Sequence, residues 1–277
     1  MIASTRLDTP AWSDPFVDRR QLEPSHPSPF TFDRELAWGG ATGAGVTVAI
    51  IDSGVDGTHP KVGRLARSVS VDRAGDDFDV NEQAEPGDTV GHGTACAGII
   101  RSIAPDVEFV SVRVLGPNNR ASGSAFGRAL EWVVEQGIDV VNLSLSSRSE
   151  ELFGIFHQLA DAAYFSNCLL VSAASNTPGE ASYPSLFSSV ASVASHDIRD
   201  PWTFFYNPRP PVEFGAWGVN VPVAWLGGAT LTASGNSFAA PHITGLAALV
   251  RSKYPRLTAF ELKSVLAAVA SSPAEHR

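Results

Sequence analysis

Apolar residues along the chain fall into two kinds of run. Some are short, continuous and rich in β-branched side chains, beginning with VTVAII (46–51). VEFVSVRVL (107–115), DVVNLSL (139–145), CLLVSAA (168–174) and SVASVA (189–194) share that character. Buried parallel strands read this way, because both of their faces are covered. Between them the apolar positions recur at helical spacing. In SAFGRALEWVVEQG (124–137), Phe126, Leu130, Val133 and Val134 share one face, and Gly137 supplies a C-terminal stop. A second helix is predicted over 151–165. A third begins where Thr258 and Glu261 fit a capping box ahead of Leu262, Val265 and Leu266. The alternation predicts an α/β fold of three layers, a mostly parallel central sheet with helices on both faces. In such folds sites form beyond the carboxyl ends of the strands. Residues 1–30 are rich in Pro, Ser and charge and have no period. They are expected to form an irregular N-terminal extension to one domain over 31–277.

Composition narrows the picture. The chain has 277 residues, 44% hydrophobic and 18% charged, enough for a sizeable core. Its formal net charge is -9. That balance argues against a nucleic-acid or anionic-membrane surface, which needs an excess of Lys and Arg. No apolar run is long enough to span a membrane, and the N-terminus has no signal-peptide pattern. With Met1 at the start, the cytoplasm is the expected location, ahead of a mature fragment of a secreted precursor. The two cysteines, Cys96 and Cys168, lie among small and apolar residues and read as buried thiols; nothing in the sequence favours a disulfide between them.

Three segments carry candidate chemistry. Asp52 follows a buried strand in AIIDSGVDG; taken alone it is a turn-forming strand-end Asp. His92 stands between glycines in GDTVGHGTACAGII, at the start of a helix of small residues; taken alone it is a capping or core histidine. Ser237 opens the long apolar helix of ASGNSFAAPHITGLAALV, where partial positive charge gathers; taken alone it is an N-cap. Pro241 is expected near that helix start, where a missing N–H matters least. Together the three supply what acyl transfer needs: a nucleophile, a base of near-neutral pKa, and a carboxylate that fixes the base's tautomer. Asn176, just beyond CLLVSAA, offers an amide to an oxyanion or else forms a turn.

The order Asp, His, Ser is that of subtilisin rather than of chymotrypsin or the α/β-hydrolases. Ala239 also stands where a lipase-type elbow has its second glycine. DSG at 52–54, GHGT at 91–94 and GNSFAAPH at 235–242 resemble the three signatures of the subtilases, over about residues 45–270. The serine signature usually reads Gly-Thr-Ser, so Asn236 departs from it. The resemblance implies a serine endopeptidase with Asp52 orienting His92, His92 as general base then acid, and Ser237 as nucleophile. It makes Asn176 the oxyanion-hole asparagine. It implies a peptide or protein substrate held as an extended strand between Ala121, Ser122 and Gly123 on one side and Ser144, Leu145 and Ser146 on the other.

Other positions depart from the family. The S1 pocket of familiar subtilisins is lined by glycines where this chain has Ser146, Ser175 and Ser182. A smaller, more polar pocket that disfavours large aromatic P1 residues is expected. The calcium loop that the family carries after the histidine helix is deleted in GIIRSIAPDVEFV, and Lys61 replaces a family Asp ligand. No calcium is expected at that site, because an ammonium repels Ca²⁺, while a calcium site elsewhere is left open; no metal ligand and no cofactor are assigned. The extension 1–30 either inhibits the cleft or straps the surface. Cys96, one turn beyond His92, is expected to pack rather than to sense redox state. Two other classes compete with the endopeptidase, expected here as a compact processing enzyme: an inactive peptide-binding module, and a nucleotide-binding protein using GATGAGV (40–46). The last fails on context, since those glycines precede the first strand. The oligomeric state is left open.

Overall fold

The structure, a computed structural model, describes residues 10–11, 13–17, 32–116, 118, 120–209 and 211–273. Its strands are β1 (Thr47–Asp52), β2 (Arg67–Ala74), β3 (Asp77–Glu82), β4 (Glu108–Arg113), β5 (Val140–Leu143), β6 (Leu169–Ala173), β7 (Ala191–His196), β8 (Phe205–Tyr206), β9 (Phe214–Trp217), β10 (Val221–Ala224) and β11 (Thr230–Ala233). Its helices are α1 (Asp14–Val17), α2 (Arg34–Trp38), α3 (His92–Ile103), α4 (Gly123–Glu135), α5 (Phe153–Phe165), α6 (Asn236–Lys253) and α7 (Ala259–Ala268).

Among the described residues nine strands form one sheet in the order β3-β2-β4-β1-β5-β6-β7-β9-β8. The seven from β2 to β9 pair in parallel, and β3 and β8 add antiparallel edges. β1 sits at the topological switch: the chain returns through β4 on one side of it and β5 on the other. The carboxyl end of such a strand opens into a crevice. β10 and β11 form a separate hairpin.

Alternation along β1 builds the layers. Val48 and Ile50 face Ala97 and Ile100 of α3, Ile243 and Leu246 of α6, and Leu262 of α7 in one core. Ala49 and Ile51 face Phe126, Leu130 and Val133 of α4 and Phe156 and Ala160 of α5 in the other. Each fully buried branched side chain contributes roughly 1.5–3 kcal/mol. Exposed pairs such as Arg128–Glu131 contribute about 0–1 kcal/mol. The two cores therefore hold the fold. Cys96 and Cys168 are both buried and free, one in each core. Among the described residues no helix is long and apolar enough to cross a membrane.

The predicted core strands and main helices form, with shifted ends. The sheet strand expected over 189–194 runs from Ala191 to His196. The helix expected from Ser124 starts at Gly123, and Gly137 adopts the left-handed φ of 67° that ends it. Thr258 and Glu261 form the expected capping box. Of the extension 1–30, residues 10, 11 and 13–17 are described and the remainder lies outside the described residues. The described part is partly a strap: Ser13 and Phe16 are buried, and Phe16 packs with Ala174, Ala194, Phe205 and Val212.

Candidate active site

Asp52 is the last residue of β1 and is fully buried at the switch point. His92 is the first residue of α3. Two glycines bring them together. Gly91, at φ 105°, turns the chain into the helix, and a Cβ on Gly93 would overlap the carbonyl oxygen of Gly54. His92 Nδ1 lies 2.9 Å from each carboxylate oxygen of Asp52. The Ser53 N–H donates to Asp52 Oδ1 at 2.7 Å, fixing the carboxylate.

A second carboxylate, Asp88, organises this corner. Its Oδ1 accepts from Ser53 Oγ and from the N–H groups of Val90 and Gly91, at 2.7 to 2.9 Å. Its Oδ2 accepts from the N–H and hydroxyl of Thr94 at 2.8 and 2.7 Å. It thus caps the helix start that carries His92. Burial works most strongly against protonation of His92; the charge of Asp52, its hydrogen bond and the charge of Asp88 outweigh it, so the pKa lies above the ordinary histidine value. Asp88 escaped the sequence reading. The sequence carries little signal for it, because Asp88 lies three residues ahead of the N-cap Gly91, outside the usual capping position.

Ser237 is the second residue of α6, where N–H groups have no intrahelical partner. Pro241 corrects the expectation. It is the sixth residue of the helix, so its missing N–H leaves the carbonyl of Ser237 without a helical donor. Ser144 Oγ fills that place, donating to Ser237 O at 2.8 Å. Ser144 is held in turn by Asn142 Nδ2 at 3.0 Å, and Asn142 Oδ1 accepts from Thr244 Oγ1 at 3.0 Å. Cys96 Sγ also faces Ser144 Oγ, at 3.3 Å. Among the described residues no hydrogen bond joins Ser237 Oγ to His92, a looseness common before substrate completes a site.

Asn176 follows β6 and reaches the serine from the other side. Its Oδ1 accepts from the Asn236 N–H at 2.9 Å, which turns the amide N–H₂ away from Asn236. His92, Asn176 and Ser237 line one groove of about 540 Å³. Ala121, Ser122, Gly123, Ser144, Leu145 and Ser146 line it as well. Gly123 is already helical, and Ser122 caps that helix by accepting from the Ala125 N–H at 3.1 Å. A side pocket of about 250 Å³ adjoins, lined by Ser146, Ser175, Asn176, Arg148 and Glu180 among others. Ser175 Oγ donates to Glu180 Oε2 at 2.8 Å, and Arg148 Nη1 donates to Glu180 Oε1 at 2.6 Å. Ser182 does not line the pocket: it is buried with its hydroxyl 2.9 Å from that of Ser185. Arg148 and Glu180 lay outside the sequence expectation, because nothing local places either beside the strand end.

Asp52, His92 and Cys96 hold their ligand atoms within 4.8 Å of one another. They make a poor metal centre. Asp52 and His92 are spent on each other, and burial, with Asp52 and Asp88 nearby, pushes the Cys96 thiol well above its ordinary pKa, so it keeps its proton. Elsewhere α3 ends at Ile103 and β4 begins at Glu108, the direct passage expected. Lys61 Nζ donates to Thr230 Oγ1 at 3.3 Å.

The chain is similar to known proteases. Thermostable alkaline protease of Halalkalibacterium halodurans is 32% identical over 229 residues, covering 79% of this chain and 60% of that protein. Subtilisin Savinase of Lederbergia lenta is 32% identical over 243 residues, covering 84% of this chain and 86% of its own length. The crystal structure of a cold adapted subtilisin-like serine proteinase superposes with a TM-score of 0.67 at 28% identity, over 90% of both chains. Residues 43–276 match the subtilase family, and with these relatives the match shows that the chain belongs to it.

Proposed function

We propose that the protein is a serine endopeptidase whose nucleophile is Ser237, whose base is His92 and whose orienting carboxylate is Asp52. The observation that carries this reading is the two-point contact of His92 Nδ1 with buried Asp52, at the mouth of the groove that Ser237 and Asn176 also line. An Asp-bound Nδ1–H leaves Nε2 as the proton acceptor. Ser237 Oγ then attacks a peptide carbonyl carbon as His92 takes its proton. The oxyanion receives hydrogen bonds from the Asn176 amide and the Ser237 N–H. The tetrahedral adduct collapses, His92 protonates the departing amine, and the acyl group remains on Ser237 until a water, deprotonated by His92, releases it. In subtilisin, removing one oxyanion donor costs about 10²–10³ in kcat, and a loss of similar size is expected for Asn176→Ala here.

The reading includes a substrate held as an extended strand, and a processing role for the compact enzyme in the cytoplasm, where reduced Cys96 and Cys168 would persist. It also includes a restricted S1 pocket. The side pocket is polar: Ser146 and Ser175 line it, and Glu180 is engaged by Arg148 and Ser175. In a P1 peptide library, small and polar P1 residues should be cleaved ahead of Phe and Tyr; best cleavage after an aromatic residue sinks this part. The central test is labelling by a fluorophosphonate at neutral pH. The wild type should label and Ser237→Ala should not. A wild type that fails to label points instead to a peptide-binding module with an idle groove.

A further inference from the structure

We infer that Asn236, with Ala11 and Ser13 of the N-terminal segment, forms a positioning device for the oxyanion hole, so that turnover depends on the N-terminus being docked. The inference rests on the serine endopeptidase reading and goes beyond it.

Asn236 stands where the serine signature usually has Thr, and it is fully buried. Its Nδ2 donates to the carbonyls of Ala11 at 2.8 Å, Ser175 at 3.0 Å and Ala174 at 3.3 Å. Its Oδ1 accepts from the Ser195 N–H at 2.9 Å and from Ser13 Oγ at 3.4 Å. A threonine hydroxyl offers one donor and could not span these partners, whereas an amide brings two donors and a carbonyl. The Asn236 main chain meanwhile holds Asn176 Oδ1, and the Ala11 N–H donates to Asn176 O at 3.2 Å. Asn176 is therefore gripped twice, at its side chain by residue 236 and at its backbone by residue 11.

The segment is anchored by packing as well as by polar contacts. Phe16 is fully buried, and a Cβ on Gly215 would overlap its ring. Ser13 Oγ accepts from the Ser195 N–H at 3.2 Å. None of the described residues of the segment lines the groove, so the contact acts on Asn176 from outside the groove and not on bound substrate. Loss of this grip should loosen the Asn176 amide, which meets its charged partner only in the transition state. The signature is a fall in kcat with KM nearly constant.

The test compares full-length Asn236→Thr and Ser13→Ala with the wild type, at a temperature well below each thermal midpoint. Asn236→Thr is expected to lower kcat by about 10–10²-fold, part of the loss from removing an oxyanion donor outright, with KM within about twofold. Affinity for a peptidyl boronic acid, which mimics the anionic tetrahedral adduct, should fall by the same factor, while affinity for a product peptide holds. Ser13→Ala, which leaves the core packing intact, should move the same quantities in the same direction by less. Adding Asn176→Ala to Asn236→Thr should cost far less than the product of the single losses. If both variants lose thermal stability while kcat and boronate affinity stay at wild-type values, the residues are only structural and the inference falls. A wild type that neither cleaves peptides nor labels with fluorophosphonate overturns the endopeptidase reading, and this inference with it.

Discussion

His92 feels two opposed influences, burial against its protonation and the charges of Asp52 and Asp88 in favour of it, and the charges prevail. In the role proposed for it, His92 accepts a proton and so acts when neutral. kcat/KM should therefore rise with pH through a midpoint above the ordinary histidine value of about 6.5. Asp88→Asn keeps an acceptor for the helix start and removes a charge that favours imidazolium. The acid limb should move to lower pH, measured as the pH profile of kcat/KM; a limb that stays put or moves up contradicts the assignment. Much at this scale was legible. Asp52, His92, Asn176 and Ser237 carry residue types that acyl transfer requires, at the ends of elements that the apolar pattern marks. Their supporting residues were not legible, because their meaning lies in partners remote in sequence. Ser144 reads only as a substrate contact, and its bond to the carbonyl that Pro241 frees shows in the structure alone. Asn236 reads as a variant letter in a motif until Ala11 and Ser195 are seen against it. Ser182 reads as pocket lining until its hydroxyl is found facing Ser185.

Helix α6 shows the same division. Its apolar length is plain in the sequence, while the buried polar residues within it acquire their roles from packing. His242 is enclosed; burial pushes its pKa down to about 4, against a weaker opposing pull from the Phe238 carbonyl that its Nδ1 contacts at 3.0 Å. In the unfolded chain it titrates near the ordinary value, so between those limits only the unfolded chain takes up the proton. The stability it contributes is present above the unfolded pKa and is lost as pH falls through about 4. The loss should be on the order of 3 kcal/mol. His242→Gln should lower the urea midpoint at pH 7 yet flatten its decline toward pH 4. An equal decline in both proteins would refute the role. Among the strands, the core members announced themselves as continuous apolar runs. The hairpin β2–β3 did not, because β3 (DFDVNE) is mostly exposed and reads as a polar loop. The carboxyl end of β7 was misjudged for a related reason: Ser195 and His196 are polar yet buried, so an apolar criterion stops short of them.

At the scale of the whole molecule, the three-layer α/β architecture followed from alternation alone, and the subtilase resemblance from three ordered motifs. What neither supplied was the closing of the chain's beginning onto its serine helix, since Ala11 and Ser13 meet Asn236 more than two hundred residues away. The sheet's outer margins bear on the proposed activity in another way. A peptidase that recognises extended backbone by adding it as a strand carries a hazard, because every open sheet margin invites the same addition. Here one margin is β3, which alternates Asp77, Asp79 and Asn81 and ends at Glu82; the other, β8, is only Phe205–Tyr206. A charged margin and a stunted one both refuse partners. If the proposed reading holds, this sheet would leave the capture of extended chains to the groove that contains Ser237 and would limit aggregation with substrate.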